Sequence, residues 1–209
     1  YNLKMNNRSY LDNTSKKKIF LLSIPIFFSN LAIPLVGLVD TGLMGNLGQT
    51  KFLAATSIST SVITMIIWSF GFLRMGTVGI VSQLYGKSDY REIVRTIIRN
   101  LLLAFTISII IILFRYYILD LINFFFITSD ETKILIKTYI SVRVFSIPAE
   151  LIIYILVGFY LGIQKTKISS LLIIIFSILN IVFSSYFVMS LNLNVFGVAL
   201  GTLASSYIT

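Results

Sequence analysis

The sequence predicts an all-α integral membrane protein with six transmembrane helices. Its composition is the first reason: 56% of the 209 residues are hydrophobic and only 12% are charged, against roughly 25% charged residues in a soluble domain. The second reason is that the apolar residues lie in long uncharged runs, since a run of about 20 residues can cross a bilayer. A mean hydropathy of +0.92 agrees. These features exclude a soluble enzyme, a disordered chain and a disulfide-rich secreted module.

The residue types that are missing exclude further classes. The chain has no cysteine and no histidine, which removes disulfides, zinc sites built on these residues and nucleophile pairs that need them. We find no phosphate-binding loop and no metal-ligand motif, and predict that the protein is not an enzyme and has no cofactor or metal. The net charge of +9 comes from basic residues at the ends of apolar runs, which indicates a membrane surface and not nucleic acid.

The first part of the chain predicts a tail and two helices. Residues 1–18 are polar and basic, as in a cytoplasmic N-terminal tail. The first helix is predicted over about 19–45, and Pro25 and Pro34 within it are expected to bend it. Its apolar run is too long for the core of a signal peptide, and no small-residue cleavage site follows. The second helix is predicted over about 52–85.

The remaining residues predict four more helices. The third covers about 97–114, and residues 115–136 form an outer loop in which we expect a short interfacial helix. The fourth covers about 137–163, the fifth 168–190 and the sixth 195–209. The sixth is cut short within an apolar run, and the chain starts without a methionine. We therefore expect this sequence to be a piece of a longer protein.

The distribution of lysine and arginine predicts that the N-terminus is cytoplasmic. With this orientation, eleven basic residues lie on the inner side and four on the outer side, as the positive-inside rule demands. The inner set is Lys4, Arg8, Lys16, Lys17, Lys18, Lys87, Arg91, Arg95, Arg99, Lys165 and Lys167, and the outer set is Lys51, Arg115, Lys133 and Lys137. The prediction is a multi-pass protein of the inner (plasma) membrane that contacts membrane lipids.

Asp40 is the first candidate functional residue because it directly follows the first apolar run. A carboxylate in a membrane helix is costly unless it faces protein or water, and a poorly solvated one can bind and release a proton near neutral pH. Two interpretations are open. If residues 41–44 continue a bent helix, Asp40 lies within the membrane. If the apolar run crosses the bilayer alone, Asp40 lies at the outer interface.

Four other polar residues inside predicted helices are also candidates. Asn180 and Ser184 are four residues apart and share one helix face. They can bond a carboxylate or coordinate a cation through oxygen, but for the pair alone the favoured interpretation is that they hold two helices together. Arg143 and Glu150 share a face of the fourth helix and predict ion pairing, either with each other or with another helix, and Glu150 is a secondary candidate acid for proton binding.

Small residues mark the last predicted helix. Gly197, Gly201 and Ser205 repeat at every fourth position. Such a stripe lets two membrane helices approach closely, so it predicts helix packing and not a binding site.

Six stretches of sequence follow one another in a characteristic order. They are IPLVGLVDTGLMGNLG (33–48), FLRMGTVGIVSQLYGKSD (72–89), YISVRVFSIPAE (139–150), GFYLGIQKTK (158–167), LNIVFSSYF (179–187) and FGVALGTLASS (196–206). From about Ile19 to its end, the chain resembles the N-terminal half of multidrug and toxic compound extrusion (MATE) transporters, most closely their DinF-type branch.

This resemblance implies a twelve-helix antiporter of two six-helix lobes, of which this chain is the N-terminal lobe without its C-terminal partner. The implied function is export of small organic cations, coupled to entry of a proton or Na⁺. In the family an aspartate of the first helix is linked to coupling, and it maps onto Asp40. Polar partners map onto Asn180, Thr202 and Tyr139. Some members carry a second aspartate where this chain has Ser184, which leaves Asp40 as the only acid of the implied cluster.

The resulting hypothesis is that Asp40 alternates between an ionised and a cation-loaded form. Loading changes its hydrogen bonds, the first helix bends at Pro25 and Pro34, and the narrowed cavity releases the organic cation. Two alternatives stay open. A related lipid-linked sugar flippase or polysaccharide exporter is favoured if basic residues line the central cavity. Arg74 and Arg143 are the only basic residues that this topology places inside the membrane, since Arg99 and Lys137 stand at span ends. A non-transporting membrane fragment predicts no flux that depends on Asp40.

Overall fold

The computed structural model describes residues 13–209, and within them the chain forms nine α-helices and no β-strand. The helices are α1 (Asn13–Asn46), α2 (Thr50–Ser69), α3 (Phe72–Gly86), α4 (Tyr90–Leu113), α5 (Arg115–Phe125), α6 (Asp130–Arg143), α7 (Ile147–Gly162), α8 (Thr166–Ser185) and α9 (Asn194–Ile208). The first twelve residues of the predicted tail lie outside the described part. The all-α prediction is confirmed.

Five helical stretches are long and apolar enough to cross a membrane. They are Ser23–Asn46, Thr50–Gly86, Tyr90–Leu113, Asp130–Gly162 and Thr166–Ser190, and the shorter apolar helix α9 follows them. The stretches Thr50–Gly86 and Asp130–Gly162 each combine two helices. Helix α5 lies in the segment where a short interfacial helix was expected. The chain is therefore a multi-span membrane protein.

Three helices begin before the apolar runs that predict them. Helix α1 starts at Asn13, within the predicted tail. Helix α4 starts at Tyr90 and not at 97, because the Asp89 side chain accepts a hydrogen bond of 3.1 Å from the Glu92 backbone N–H. Helix α6 starts at Asp130 and not at 137, because Ser129 accepts from the Thr132 N–H at 3.4 Å. Hydropathy detects the membrane-embedded part of a helix, whereas caps like these determine where the helix begins.

Two spans are interrupted within the bundle. Phe70 and Gly71 form a turn between α2 and α3. A 3₁₀ turn, Val144–Ser146, separates α6 from α7, and Pro148 lies in the first turn of α7. Proline fits there because it lacks the N–H that an interior helical position would donate. Both interruptions fall beside residues of the site described below.

The bundle turns a largely apolar surface outward. Leu102, Phe105 and Leu113 of α4 are 64%, 60% and 69% exposed, which suits contact with lipid chains. The interior is held by packing of α1 on α8, α3 on α7, α8 on α9, and α6 on both α2 and α9. At one end of the bundle, Lys51 at the start of α2 bonds Glu131 at the start of α6 at 2.9 Å. This ion pair shows that the two helices begin on the same side.

Close packing between helices depends on glycines. A Cβ added to Gly201 of α9 would lie 2.5 Å from the Ser184 Oγ and 2.6 Å from the Ser184 backbone N. A Cβ added to Gly158 of α7 would lie 2.7 Å from the Arg74 carbonyl oxygen. The stripe of small residues in the last helix thus serves helix packing, as its spacing predicts.

We expect Gly201→Ala to lower the free energy of unfolding of the full-length protein by about 1–3 kcal/mol, because the added methyl group overlaps the α8 backbone. The measurement is an SDS titration in mixed micelles followed by circular dichroism. The matched control is Gly79→Ala in α3, where an added Cβ meets nothing within 4 Å. The control is expected to be neutral or to gain up to about 1 kcal/mol from helix propensity. Equal stability of the two variants would contradict the packing argument.

Candidate functional site

A cavity of about 430 Å³ opens within the bundle. Its walls come from seven helices, α1, α2, α3, α6, α7, α8 and α9. The residues that line it are Val36, Gly37, Asp40, Thr60, Thr64, Ile67, Trp68, Arg74, Tyr139, Arg143, Glu150, Ile153, Tyr154, Val157, Ile173, Phe176, Ser177, Asn180 and Thr202. Four charged residues therefore meet in one space. They are Asp40, Arg74, Arg143 and Glu150.

Asp40 lies within α1 and not at its end. The helix continues to Asn46, and Asp40 is 8% exposed. Six more helical residues, about 9 Å at 1.5 Å per residue, separate it from the end of the helix. Its Oδ1 has no hydrogen-bond partner among the described residues. The Ser184 hydroxyl is a hydrogen-bond partner of the carboxylate, and the Arg143 guanidinium interacts with it electrostatically. This geometry favours the interpretation that places Asp40 inside the membrane.

Asn180, Thr202 and Ser184 form one hydrogen-bonded group between α8 and α9. The Asn180 amide donates to the Thr202 Oγ1 at 2.9 Å, and the Ser184 hydroxyl donates to the Asn180 Oδ1 at 3.4 Å. Thr202 in turn donates to the Val198 carbonyl at 3.2 Å. Asn180 and Thr202 line the cavity with Asp40. Ser184 is fully buried behind it, against Gly201.

Tyr139 lies close to both Asp40 and Arg143 in the cavity. Its side chain is 1% exposed, and its hydroxyl shares a hydrogen bond of 3.0 Å with Thr60 of α2. Electrostatic interactions join it to Arg143 and to Asp40. Four of the five residues predicted for ion coupling therefore line the same cavity, namely Asp40, Asn180, Thr202 and Tyr139. The fifth, Ser184, lies behind the lining and bonds Asn180.

Arg143 and Glu150 form an ion pair with each other across the 3₁₀ turn between α6 and α7, which is one of the two arrangements predicted for them. The Arg143 guanidinium donates two hydrogen bonds to the Glu150 carboxylate: Nη1 donates to Oε1, and Nη2 donates to Oε2 at 3.2 Å. The Ser146 hydroxyl, also bonded to Arg143, lies 2.8 Å from Glu150 Oε1. The two charged side chains are only 10% and 12% exposed. A bidentate pair of this kind neutralises both charges within the cavity.

The two prolines of α1 lie away from the cavity lining. Pro34 is exposed and Pro25 is half-buried, and α1 continues through both. Among the described residues no group of three or more acidic residues stands together as a metal site. The oxygens that could surround a cation are instead the Asp40 carboxylate, the Asn180 amide and the hydroxyls of Thr202 and Ser184.

The sequence analysis did not identify several residues that line the cavities, because they carry hydroxyl groups and not charges. Thr60 and Thr64 belong to a run of hydroxyl residues in α2. A second cavity of about 800 Å³ lies between α1 and α2, and it shares Asp40 with the first. Its hydroxyl-bearing lining residues are Thr41, Thr56, Ser57, Thr60, Ser61, Thr64 and Ser69. Their recurrence along an otherwise apolar helix is the sequence feature that indicates a polar helix face.

The comparisons with known proteins agree on one family. The MatE family model matches residues 25–186. The chain is 34% identical over 196 residues to the DNA damage-inducible protein F of Escherichia coli (strain K12), covering 94% of this chain and 43% of that protein. It is 31% identical over 171 residues to the multidrug resistance protein NorM of Vibrio parahaemolyticus, covering 80% and 36%.

Solved structures show the same fold. A crystal structure of MATE in the straight conformation matches with a TM-score of 0.84 and 25% identity, over 92% of this chain and 43% of that chain. An outward-facing multidrug resistance MATE family transporter of the MOP superfamily matches with a TM-score of 0.84 and 24% identity, over 92% and 43%. The chain thus spans less than half the length of the curated relatives and solved chains it matches.

We expect Glu150→Gln to lower the free energy of unfolding of the full-length protein by about 3–5 kcal/mol, because it leaves the Arg143 charge buried and unpaired. The double variant Arg143→Met with Glu150→Gln is the matched control. It removes the charge along with its partner and is expected to regain most of that loss. The measurement is an SDS unfolding titration of all three proteins. A double variant no more stable than the single one would show that the ion pair does not determine stability here.

Proposed function

The chain belongs to the MatE family of membrane transporters, and from this premise we propose that it forms the N-terminal lobe of a cation-coupled antiporter that exports organic cations. The names of its relatives support the proposal, since they include a multidrug export protein, MepA of Staphylococcus saprophyticus, which is 23% identical over 192 residues. The length comparison supports a second lobe, because the chain covers 43% of that relative. The complete transporter would then need a C-terminal lobe of the same protein as its partner.

Asp40 is the proposed ion-coupling residue. The single observation that carries this proposal is its position: a carboxylate only 8% exposed, inside a spanning helix, with one oxygen lacking a hydrogen-bond partner in the described part of the chain. A buried carboxylate without full solvation has a strong preference for a bound cation. Because Asp40 also lines the cavity, its loading and the binding of a substrate would take place in one space.

The hydrogen bonds around Asp40 would differ between its ionised and its cation-loaded form. When ionised, the carboxylate needs donors, and the hydroxyl of Tyr139 and the Asn180–Thr202 pair stand in the same cavity. When it is loaded, those donors return to one another, as in the 2.9 Å bond from Asn180 to Thr202. We propose that this exchange biases the bending of α1 at Pro25 and Pro34, since a helix lacks a backbone hydrogen bond at each proline.

The coupling ion is a proton or Na⁺. A proton needs only the carboxylate. Sodium needs several oxygen ligands, and Asp40, Asn180, Thr202 and Ser184 supply carboxylate, amide and hydroxyl oxygens of the type that hard cations prefer. The basic residues predict a cytoplasmic N-terminus in the inner (plasma) membrane, where the exposed apolar side chains contact lipids.

Arg74 and Arg143 favour a second candidate function, a flippase or exporter of lipid-linked sugars. Both line the cavity, and basic residues suit the phosphate groups of such substrates. Arg143, however, is neutralised by Glu150. Only one arginine is therefore available to an anion, which supports the organic-cation antiporter as the first candidate. A membrane fragment without transport activity is the third.

Asp40→Asn in the full-length protein is expected to abolish drug-driven counterflow of the coupling cation in proteoliposomes, because asparagine keeps the shape of the side chain and removes its charge. Flux is measured with a proton gradient and then with a sodium gradient, which identifies the ion. Asp120→Asn, at an exposed position of α5, is the matched control and should retain full flux. Full flux in a folded Asp40→Asn protein would overturn the coupling role and direct attention to Glu150.

Thr202→Val is expected to raise the half-saturating concentration of the coupling cation about three- to tenfold, because it removes the acceptor of the Asn180 amide at a net cost of about 1 kcal/mol. The control is Thr138→Val, whose exposed hydroxyl bonds only the Ile134 carbonyl in α6. The measurement is initial flux against the concentration of the coupling cation. An unchanged half-saturation in Thr202→Val would exclude this hydroxyl from the coupling site.

A further inference from the structure

The Arg143 guanidinium has two carboxylates in its surroundings. It donates two hydrogen bonds to Glu150, and its charge also acts on Asp40. Tyr139, one helical turn before Arg143 in α6, interacts electrostatically with both Arg143 and Asp40. The ion pairs among the described residues include Glu150 but not Asp40. Arg143 is thus bound to one carboxylate and leaves the other open to a cation.

Four helices supply the charged and titratable residues that line this cavity. These residues are Asp40 of α1, Arg74 of α3, Tyr139 and Arg143 of α6, and Glu150 and Tyr154 of α7. The residues that α2, α8 and α9 add to the lining are uncharged. Arg74 takes part in none of the ion pairs in the part of the chain that the structure describes. Its charge acts on Tyr154, as does the charge of Glu150, so Glu150 shares its surroundings with a second cation.

The ion pair of Arg143 spans an interruption in the helix backbone. A 3₁₀ turn, Val144–Ser146, joins α6 to α7. Side chains bond two carbonyl groups at this interruption. The Ser146 hydroxyl donates to the Arg143 carbonyl at 2.6 Å, and the Tyr207 hydroxyl of α9 donates to the Phe145 carbonyl at 3.0 Å. Because interrupted helices bend at the interruption, the two paired residues stand on segments that can move against each other.

A single arginine cannot neutralise two buried carboxylates at once. A charged group within a membrane needs a partner or a solvated cavity. When Asp40 holds a cation, its charge is compensated, and Arg143 is best paired with Glu150. Without a cation, Asp40 is a carboxylate with one oxygen that has no hydrogen-bond partner among the described residues. The guanidinium of Arg143, whose charge already acts on Asp40, is the protein's own substitute for the released cation.

We propose that Arg143 changes its ion-pair partner during transport: it pairs with Glu150 while Asp40 holds the coupling cation, and with Asp40 once that cation has left. This inference rests on the proposed transport function. After the change, Glu150 retains the Ser146 hydroxyl, 2.8 Å from its Oε1, and shares the cavity with the charge of Arg74. Arg143 is therefore a positioning residue that competes with the coupling cation for Asp40 and helps to expel it.

The first test removes the whole ion pair. In the double variant Arg143→Met with Glu150→Gln, Asp40 keeps its carboxylate but loses the competing charge. Efflux of ethidium, a fluorescent organic cation, is measured in proteoliposomes of the full-length protein against the concentration of H⁺ or Na⁺, whichever drives the wild-type protein. We expect the half-saturating concentration of this coupling cation and the maximal rate each to fall about tenfold, because the cation binds more tightly and leaves more slowly.

The single variants separate competition from simple packing. In Glu150→Gln, Arg143 is released from its partner and competes for Asp40 throughout, so the half-saturating concentration of the coupling cation should rise about tenfold. This shift is opposite to that of the double variant. Arg143→Lys keeps the positive charge and should stay within about threefold of the wild-type value, because the competition depends on charge.

The matched control is the exposed ion pair of Lys133 and Asp130, which lies at 3.0 Å on the same helix α6. Lys133→Met with Asp130→Asn should change neither the half-saturating concentration nor the maximal rate. A lower rate without tighter binding of the coupling cation in the cavity double variant would overturn the proposal and leave Arg143 a structural role. An unchanged half-saturating concentration in Glu150→Gln would overturn it as well. Full flux in Asp40→Asn would instead refute the coupling function itself, whatever Arg143 does.

Discussion

The absence of water from the hydrocarbon core of a membrane is the constraint on which this structure depends. A charge there must be paired or must face a cavity. The chain satisfies this demand by bringing the four charged residues from the interior of its spans, Asp40, Arg74, Arg143 and Glu150, to one cavity. The outward surface is left to apolar side chains such as Leu102 and Phe105. A polar interior and an apolar exterior follow from one solvation requirement.

Helix packing makes this arrangement possible. Gly158 lets α7 meet α3 beside Arg74, and Gly201 lets α9 meet α8 beside Ser184. The 3₁₀ turn at Val144–Ser146 separates two helices on which Arg143 and Glu150 stand, and Ser146 bonds both. Small residues and a helix break, which carry no chemistry themselves, thus determine where the charged groups meet.

The charge balance of the cavity suits the proposed antiport. With Asp40 ionised the four charges sum to zero, and with Asp40 loaded by a cation one positive charge remains. An organic cation in the same cavity would be bound more weakly after loading, because the Arg74 charge is fixed by its high proton affinity. In the proposed exchange, the coupling ion and the organic cation would influence each other through the electrostatic field of the shared cavity.

The sequence alone determined the membrane class, the number and order of the helical runs and the residues that carry charge into them, because burial in lipid has a compositional signature that requires no tertiary contact. Pairing of Arg143 with Glu150 was one of the arrangements that the sequence predicts, because their spacing of seven residues places both on one helix face. Helix starts such as Tyr90 and Asp130 were not, because local caps override hydropathy. The depth of Asp40 was ambiguous until the tertiary structure placed it beside Asn180 and Thr202. Arg74, which lies in a different span from Asp40, joined the same cavity only through the packing of α3 on α7, and contacts of this kind have no signal in a single sequence.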